Sequence, residues 1–139
     1  MDTLKEGSLK KKIEEEMTVD YSNTLEKYFD LAKQFIRITK DGKVVVLDKN
    51  RLNGKEQILL YLIGKLYAKE AGYAATDDVG NNELLNEIGI HSGSLLPWLK
   101  NLREERKIRQ IKKGKYVHHS ISVNFVEKTL NHIEKKLKK

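Results

Sequence analysis

The side chains of this sequence best suited to catalysis or metal binding are four histidines, His91, His118, His119 and His132. His118 and His119 are adjacent, so on a strand they point to opposite faces and cannot chelate one ion as a pair. Ser120 beside His119 is not a nucleophile–base arrangement by adjacency alone. The sequence has no cysteine, no HExxH pair, no glycine-rich phosphate loop and no clustered carboxylate motif. We therefore expect no enzyme, and predict no catalytic residue, metal site or cofactor.

Positive charge is concentrated towards the end of the chain. Residues 106–139 hold eleven Lys or Arg and two Asp or Glu, whereas residues 76–105 hold two and six, and the net charge of the whole chain is +7. This asymmetry favours a polyanionic partner, most often nucleic acid. The alternative is a solvated, lysine-rich tail. The region opens with a run of cations that no acid interrupts: Arg106, Lys107, Arg109, Lys112, Lys113 and Lys115.

The first half of the chain contains the elements that must support these cations. The segment LKKKIEEEM predicts a charged, marginal helix within the first nineteen residues, and apolar spacing predicts a second helix over 23–34. An Asp-Gly pair at 41–42 lies between two β-rich runs and predicts a hairpin. A capping box at Asn53 opens the most hydrophobic helix, which Gly72 is placed to end. This helix should form the centre of the core.

The second half alternates short helices with a hairpin. A short helix capped by Asn82 and ended by Gly89 is followed by the turn IHS and by the amphipathic helix SGSLLPWLKNLRE. A basic hairpin follows, and then a last helix opening with a capping box at Asn124. A helix, a short helix, a tight turn, a helix and a hairpin make a helix-turn-helix with a wing, so we predict an α+β fold. The last helix has one narrow apolar seam: Val126, Leu130, Ile133 and Leu137.

Over roughly Asn53 to Val123 the sequence resembles winged helix-turn-helix DNA-binding domains. The segment SGSLLPWLKNLREERKI looks like the recognition helix of PadR-like regulators, in which Gly-Ser/Thr-Leu-Tyr-Pro precedes Leu-x-x-Leu. Leu96 departs from this pattern, because it replaces the usual aromatic residue, and the hairpin sequence KGKYVHH matches only faintly. The resemblance implies a transcription regulator that binds double-stranded DNA. The matching residues are Gly93, Ser94, Leu95, Pro97, Leu99 and Leu102.

Pro97 interrupts the amphipathic pattern of this helix. A proline in a helix interior removes a hydrogen bond and costs about 3 kcal/mol. If Ser94 caps the helix, Pro97 is its third residue, where the N–H has no intrahelical partner. If Ser92 is the cap, Pro97 removes one early bond. We favour the cap at Ser94, which makes the proline stiffen the end that approaches a major groove. Pro97 as a helix-start residue without a role in binding is an equal alternative.

The outward face of the same helix provides the candidate base contacts. Lys100 and Arg103 suit guanine or phosphate, and Asn101 suits adenine. Leu96 suits a thymine methyl group, whereas Trp98 is expected in the core. Acidic residues on the helix pair oppose close approach to phosphate, so the hairpin is expected to supply most of the affinity. The candidate DNA-binding residues are Ser92, Ser94, Leu96, Lys100, Asn101 and Arg103 in the helix, and Arg109, Lys112, Lys113 and Lys115 in the hairpin.

The predicted organisation has three parts. Residues 1–52 form an N-terminal helical segment and hairpin, 53–123 the winged helix-turn-helix, and 124–139 a C-terminal helix. The apolar seam of the last helix either packs on the chain's own first helix or pairs with a second subunit in a homodimer, which we favour. We expect a cytoplasmic protein, because no secretory signal or membrane span is visible in the sequence. The alternative functions are a winged-helix protein-interaction module and an RNA-binding accessory protein.

Overall fold

The computed structural model describes residues 8–18 and 21–138, without the side chains at 15, 21, 22 and 92. Residues 8–12 are helical (α1) and continue into a π-helical turn, Ile13–Met17. Of the first nineteen residues, in which the sequence predicts a helix, residues 1–7 and 19 lie outside the described part. The prediction of one helix over 23–34 is wrong: α2 (Tyr21–Lys27) breaks at Tyr28, and α3 (Phe29–Ala32) ends early. The reason is that residues 33–35 must turn the chain into the first strand.

The predicted N-terminal hairpin is confirmed. Strands β1 (Ile36–Ile38) and β2 (Val44–Val46) pair antiparallel, with Arg37 opposite Val45. Gly42 has φ +85° in the connecting turn, a left-handed conformation that glycine adopts at low energetic cost. The hairpin packs on the next helix, α4.

Helix α4 (Gly54–Glu70) is the central element of the core and is buried along most of its length. The predicted capping box is confirmed: Asn53 Oδ1 accepts from the Glu56 N–H at 2.9 Å, and Glu56 Oε1 accepts from the Asn53 N–H at 2.8 Å. Gly72, at φ +81°, ends the helix as predicted, and the Tyr73 N–H donates to the Ala68 carbonyl. The N-terminal hairpin and every later helix contact α4.

A three-stranded antiparallel sheet follows, with the spatial order β3-β5-β4. The short strand β3 (Val79–Gly80) runs directly into α5 (Asn81–Ile88), and α6 (Ser92–Glu104) is followed by the hairpin of β4 (Ile108–Lys113) and β5 (Tyr116–Ile121). These elements confirm the predicted helix pair and basic hairpin. The predicted cap at Asn82 is wrong, because β3 delivers the chain so that Gly80 is the N-cap. Gly89 ends α5 as predicted, in the left-handed conformation with φ +78°.

The predicted position of Pro97 is also wrong. Helix α6 begins at Ser92 with His91 as its N-cap, so neither Ser94 nor Ser92 caps it and Pro97 is the sixth helical residue. The helix starts early because the His91 carbonyl already accepts from the N–H groups of Ser94 and Leu95. The proline therefore lies in the second turn, where its missing N–H would have bonded to the carbonyl of Gly93.

The last helix, α7 (Val126–Leu137), packs on α4. The predicted capping box at Asn124 is wrong, because a 3₁₀ turn, Val123–Phe125, precedes the helix and makes Phe125 its N-cap. Three seam residues, Val126, Leu130 and Ile133, are buried in the chain's own core, and Leu137 is half-buried against it. Pairing of α7 in a homodimer remains a prediction and has to use the other faces of the helix. In the described part of the chain, no helix has both the length and the apolar character needed to cross a bilayer.

Candidate nucleic-acid interface

The outer face of α6 is open to solvent, while its inner face is anchored in the core. Leu95, Leu99 and Leu102 are buried, as the sequence predicts. On the other side Leu96 is 58% exposed, and Lys100 and Asn101 are exposed. The exposed Leu96 does not contribute to the core, so it is free to contact a partner.

The other candidates on α6 are less accessible. Ser94 is half-buried beside a surface cavity of about 460 Å³ that Trp98 and Lys49 also line. Arg103 is half-buried, and it lies close enough to the sheet for its positive charge to act on His119 of β5. The Ser92 side chain lies outside the described part. Trp98 is half-buried against the core, as predicted.

The cations of the hairpin differ in whether they form an ion pair within the fold. Arg109, Lys112 and Lys115 are exposed, and none of them forms an ion pair with an acid among the described residues. Lys113, in contrast, lies 2.8 Å from a carboxylate oxygen of Asp78. Next to the two-residue turn, Tyr116 is 63% exposed. The accessible cations are therefore fewer than the sequence suggests.

Asp78 is the residue of this region that the sequence prediction missed. Its carboxylate is nearly buried and also lies 2.7 Å from His118 Nδ1. Burial acts to raise the pKa of Asp78, but the bonds from Lys113 and His118 outweigh it and hold the pKa below its usual range. Asp78 thus fixes the hairpin to the loop before β3. The only signal in the sequence was an acid directly preceding a short strand.

His118 and His119 point to different sides of β5, as predicted. Whereas His118 bonds to Asp78, His119 is buried and its Nε2 lies 2.7 Å from Asn81 Oδ1 at the start of α5. Among the described residues, no group of three or more His, Cys, Asp or Glu side chains is arranged to hold a metal ion.

The acidity of the helix pair is partly compensated inside the fold. The Glu83 carboxylate accepts a hydrogen bond from the Tyr61 hydroxyl at 2.5 Å. It also forms an ion pair with the buried Lys65, whose Nζ lies 3.0 Å away. Lys65 also donates to the Gly42 carbonyl at 2.6 Å, so this network ties α5 to the N-terminal hairpin. Burial and the Glu83 bond both raise the pKa of Tyr61, which stays protonated as a donor.

Glu105, at the end of α6, is compensated by lysines on both sides. Lys107 lies 3.1 Å away and Lys55 3.6 Å away, and the hydrogen bond from Lys107 lowers the pKa of the Glu105 carboxyl. Glu104 remains exposed, although Lys100 approaches it at 4.0 Å, and Glu87 is half-buried. Less negative charge therefore faces a polyanion than the sequence count suggests.

The candidate residues form two groups, the outer face of α6 and the cations of the β4–β5 hairpin. No protein family, no curated protein and no solved structure matches this chain.

Proposed function

We propose that this protein is a winged helix-turn-helix transcription regulator that binds double-stranded DNA. The observation that carries the proposal is that the outer face of α6 and the hairpin cations Arg109, Lys112 and Lys115 are left uncovered by the described part of the chain. The element order from α4 to β5 and the sheet order β3-β5-β4 are typical of a winged helix and support the same proposal. We include in this proposal that α6 is a recognition helix similar to those of PadR-like regulators.

In this proposal the two groups have different roles. Helix α6 enters the major groove, where Lys100 and Asn101 meet base edges and Leu96 meets a thymine methyl group. The hairpin lies on the phosphate backbone, which Arg109, Lys112 and Lys115 neutralise. Lys113 contributes less to phosphate binding, because its ammonium group already forms an ion pair with Asp78.

The salt dependence of duplex binding tests the electrostatic part. If three cations per subunit meet phosphates, log affinity should fall against log salt with a slope of about −3 for one subunit and about −5 for a dimer. Fluorescence anisotropy with a labelled duplex of random sequence measures this slope. A slope near zero contradicts the proposal.

A charge-removal series assigns the contacts to the hairpin. Replacing Lys112 and Lys115 by Gln should weaken binding to all duplexes alike and make the slope shallower by about 2 per subunit. The matched control removes two cations outside the hairpin, Lys27 and Lys69, and should leave the slope unchanged. Selection from random duplexes at physiological salt then tests whether α6 confers a sequence preference, which Asn101→Ala should relax.

Helix α6 also supports a second candidate function, a protein-interaction module. The exposed Leu96 lies beside Pro97, and the exposed Glu104 makes this surface less suited to phosphate. Stable co-purification of a protein partner that is lost in Leu96→Ser, together with no salt-sensitive DNA binding, favours the module. A preference for RNA over duplex DNA favours an RNA-binding accessory protein.

A further inference from the structure

The N-terminal helical segment carries an apolar stripe that the described part of the chain does not cover. Leu9, Ile13 and Met17 recur every four residues and are 60%, 41% and 79% exposed. All other described side chains from residue 8 to 18 are exposed as well. The segment has a defined end, because the N–H and hydroxyl of Thr18 both donate to the Ile13 carbonyl, at 2.8 and 2.9 Å. Three large apolar side chains in a row on one helix normally pack against something.

The charges around this stripe are arranged symmetrically with opposite sign. Three lysines, residues 10–12, precede Ile13, and three glutamates, residues 14–16, follow it. A twofold axis through Ile13 therefore places Lys10 opposite Glu16, and Lys12 opposite Glu14, of an antiparallel copy. The same axis brings Leu9 against Met17. In a parallel pair the lysines would face lysines, which is unfavourable.

We propose that a second copy of this chain covers the stripe, by antiparallel pairing of the two segments 9–17 about a twofold axis at Ile13. The occupant is another copy because the segment is complementary to itself in both charge and apolar spacing. This pairing does not depend on DNA binding, and it uses a surface distinct from the buried seam of α7.

The expected dimer is weak and sensitive to salt. Nine helical residues span about 14 Å, so the interface is smaller than the roughly 1,200 Å² at which stable interfaces begin. Its ion pairs are exposed, and about 0.5 M salt screens charges beyond a few ångströms. Self-association should accordingly be strongest at low ionic strength.

A charge-swap experiment tests the pairing in the full-length chain. Sedimentation equilibrium at low salt should show a monomer–dimer equilibrium for the natural sequence. The variants Lys10→Glu/Lys12→Glu and Glu14→Lys/Glu16→Lys should each dimerise at least about tenfold more weakly, because each repels its own copy. An equimolar mixture of the two should restore dimerisation. A natural chain that stays monomeric, or a mixture that stays dissociated, overturns the proposal.

Disulfide mapping tests the orientation. The natural chain has no cysteine, so an introduced one is the only thiol. Ile13→Cys should cross-link to itself on mild oxidation, and Leu9→Cys should cross-link to Met17→Cys in a mixture but not to itself. The control Lys11→Cys, on the opposite side of the helix, should stay reduced. Because these residues are exposed, the substitutions leave the core intact. Self-linking of Leu9→Cys indicates parallel pairing and contradicts the proposal, as does an Ile13→Cys that stays free.

Discussion

His119 is a buried histidine held in one protonation state. Its side chain is 1% exposed, and Nε2 must be the protonated nitrogen, because it donates to Asn81 Oδ1. Nδ1 has no hydrogen-bond partner among the described atoms. Burial, followed by the electrostatic effects of Arg103 and His118, lowers the pKa of His119 to about 4. At neutral pH the imidazole is uncharged, which suits a site between the sheet and α5.

This shift makes stability depend on pH between about 6.5 and 4. In the unfolded chain His119 gains a proton as the pH falls through about 6.5, whereas the folded chain does not until about 4, so the unfolded state binds more protons. We expect the free energy of unfolding to fall by about 3 kcal/mol across this interval. Urea titrations at a series of pH values should show this loss, and His119→Gln should reduce it. The control His91→Gln should not. If natural and His119→Gln proteins give parallel pH curves, the shift is absent.

Asp78 restrains Lys113, so its removal should affect folding and binding in opposite directions. We expect Asp78→Asn to reduce the free energy of unfolding by about 2 kcal/mol, because it weakens a nearly buried charge cluster. If the hairpin binds phosphates as proposed, the freed Lys113 should tighten duplex binding and make the salt slope steeper by about 0.9 per subunit.

The matched control for this prediction is Asp77→Asn, which removes the same charge one residue earlier. Chemical denaturation and anisotropy titrations measure the two effects. An unchanged slope in Asp78→Asn would mean that Lys113 does not reach the backbone even when released.

At the scale of elements, the sequence predicted best where the structural signal is local. The capping box at Asn53 and the terminators Gly72 and Gly89 depend only on neighbouring residues, and all three are confirmed. Prediction failed where an adjoining element sets the boundary. Strand β3 delivers the chain to α5 two residues earlier than a cap at Asn82 implies, and α6 starts at Ser92 although Pro97 suggests a later start.

The contact between α4 and the N-terminal hairpin depends on a missing side chain. A Cβ at Gly64 would collide with the side chain of Val44. Gly64→Ala should therefore destabilise the protein by about 1–3 kcal/mol through overpacking, despite the better helix propensity of alanine. The double variant with Val44→Ala should recover part of this loss, since it vacates the space. Urea denaturation of the two single variants, the double variant and the natural protein completes a double-mutant cycle, which measures the coupling energy between Gly64 and Val44. Strictly additive losses would show that the two residues are not coupled.

Helix α6 is followed, two residues after its last residue, by a residue in the left-handed conformation. Arg106 has φ +61°, and the N–H of Lys107 bonds to the Leu102 carbonyl across the turn. A side chain in this conformation costs about 1 kcal/mol, so Arg106→Gly should raise the free energy of unfolding by roughly that amount. Arg106→Ala, which loses the charge but retains a Cβ, is the control and should not stabilise. Thermal and urea unfolding measure both, and equal effects would show that the gain comes from the charge.

At the scale of the whole molecule, the last helix, α7, packs on the central helix of the core, α4. Glu56, in the capping box of α4, also accepts from His132 Nε2 at 2.8 Å and from Lys136 Nζ at 2.5 Å. Burial acts to raise the pKa of Glu56, but the bonds from Lys136, from the Asn53 N–H and from His132 outweigh it and lower the pKa. One carboxylate thus joins residues separated by 80 positions.

Removing this carboxylate charge should loosen the contact between α4 and α7. We expect Glu56→Gln to lose about 2–3 kcal/mol of stability at pH 7. The lowered pKa means that the contribution of Glu56 is complete above the ordinary glutamate range and is lost as the pH falls below it, so natural and variant proteins should converge in acid. Glu134→Gln removes a surface pair with the exposed Lys138 and should change stability by less than about 1 kcal/mol. Equal losses in the two variants would contradict this assignment.

Long-range pairing explains most of what the sequence could not predict about the candidate site. Surface exposure of Lys100, Asn101 and Lys112 follows from local periodicity. The bond between Lys113 and Asp78, in contrast, depends on how the sheet brings β4 beside the loop before β3. The compensation of Glu83 by Lys65 has the same origin. Sequence patterns identify charged residues, and only the assembled fold decides which of them are free to meet a partner.

The position of Trp98 has a practical consequence. The chain has a single tryptophan, and its indole ring packs where Gly54 lacks a side chain, at the contact between α4 and α6. Its fluorescence emission therefore comes from one place, directly behind the exposed surface of α6. A red shift of the emission on denaturation reports loss of this contact. A spectral change on adding a duplex or a protein reports binding at α6, and neither measurement needs an attached dye.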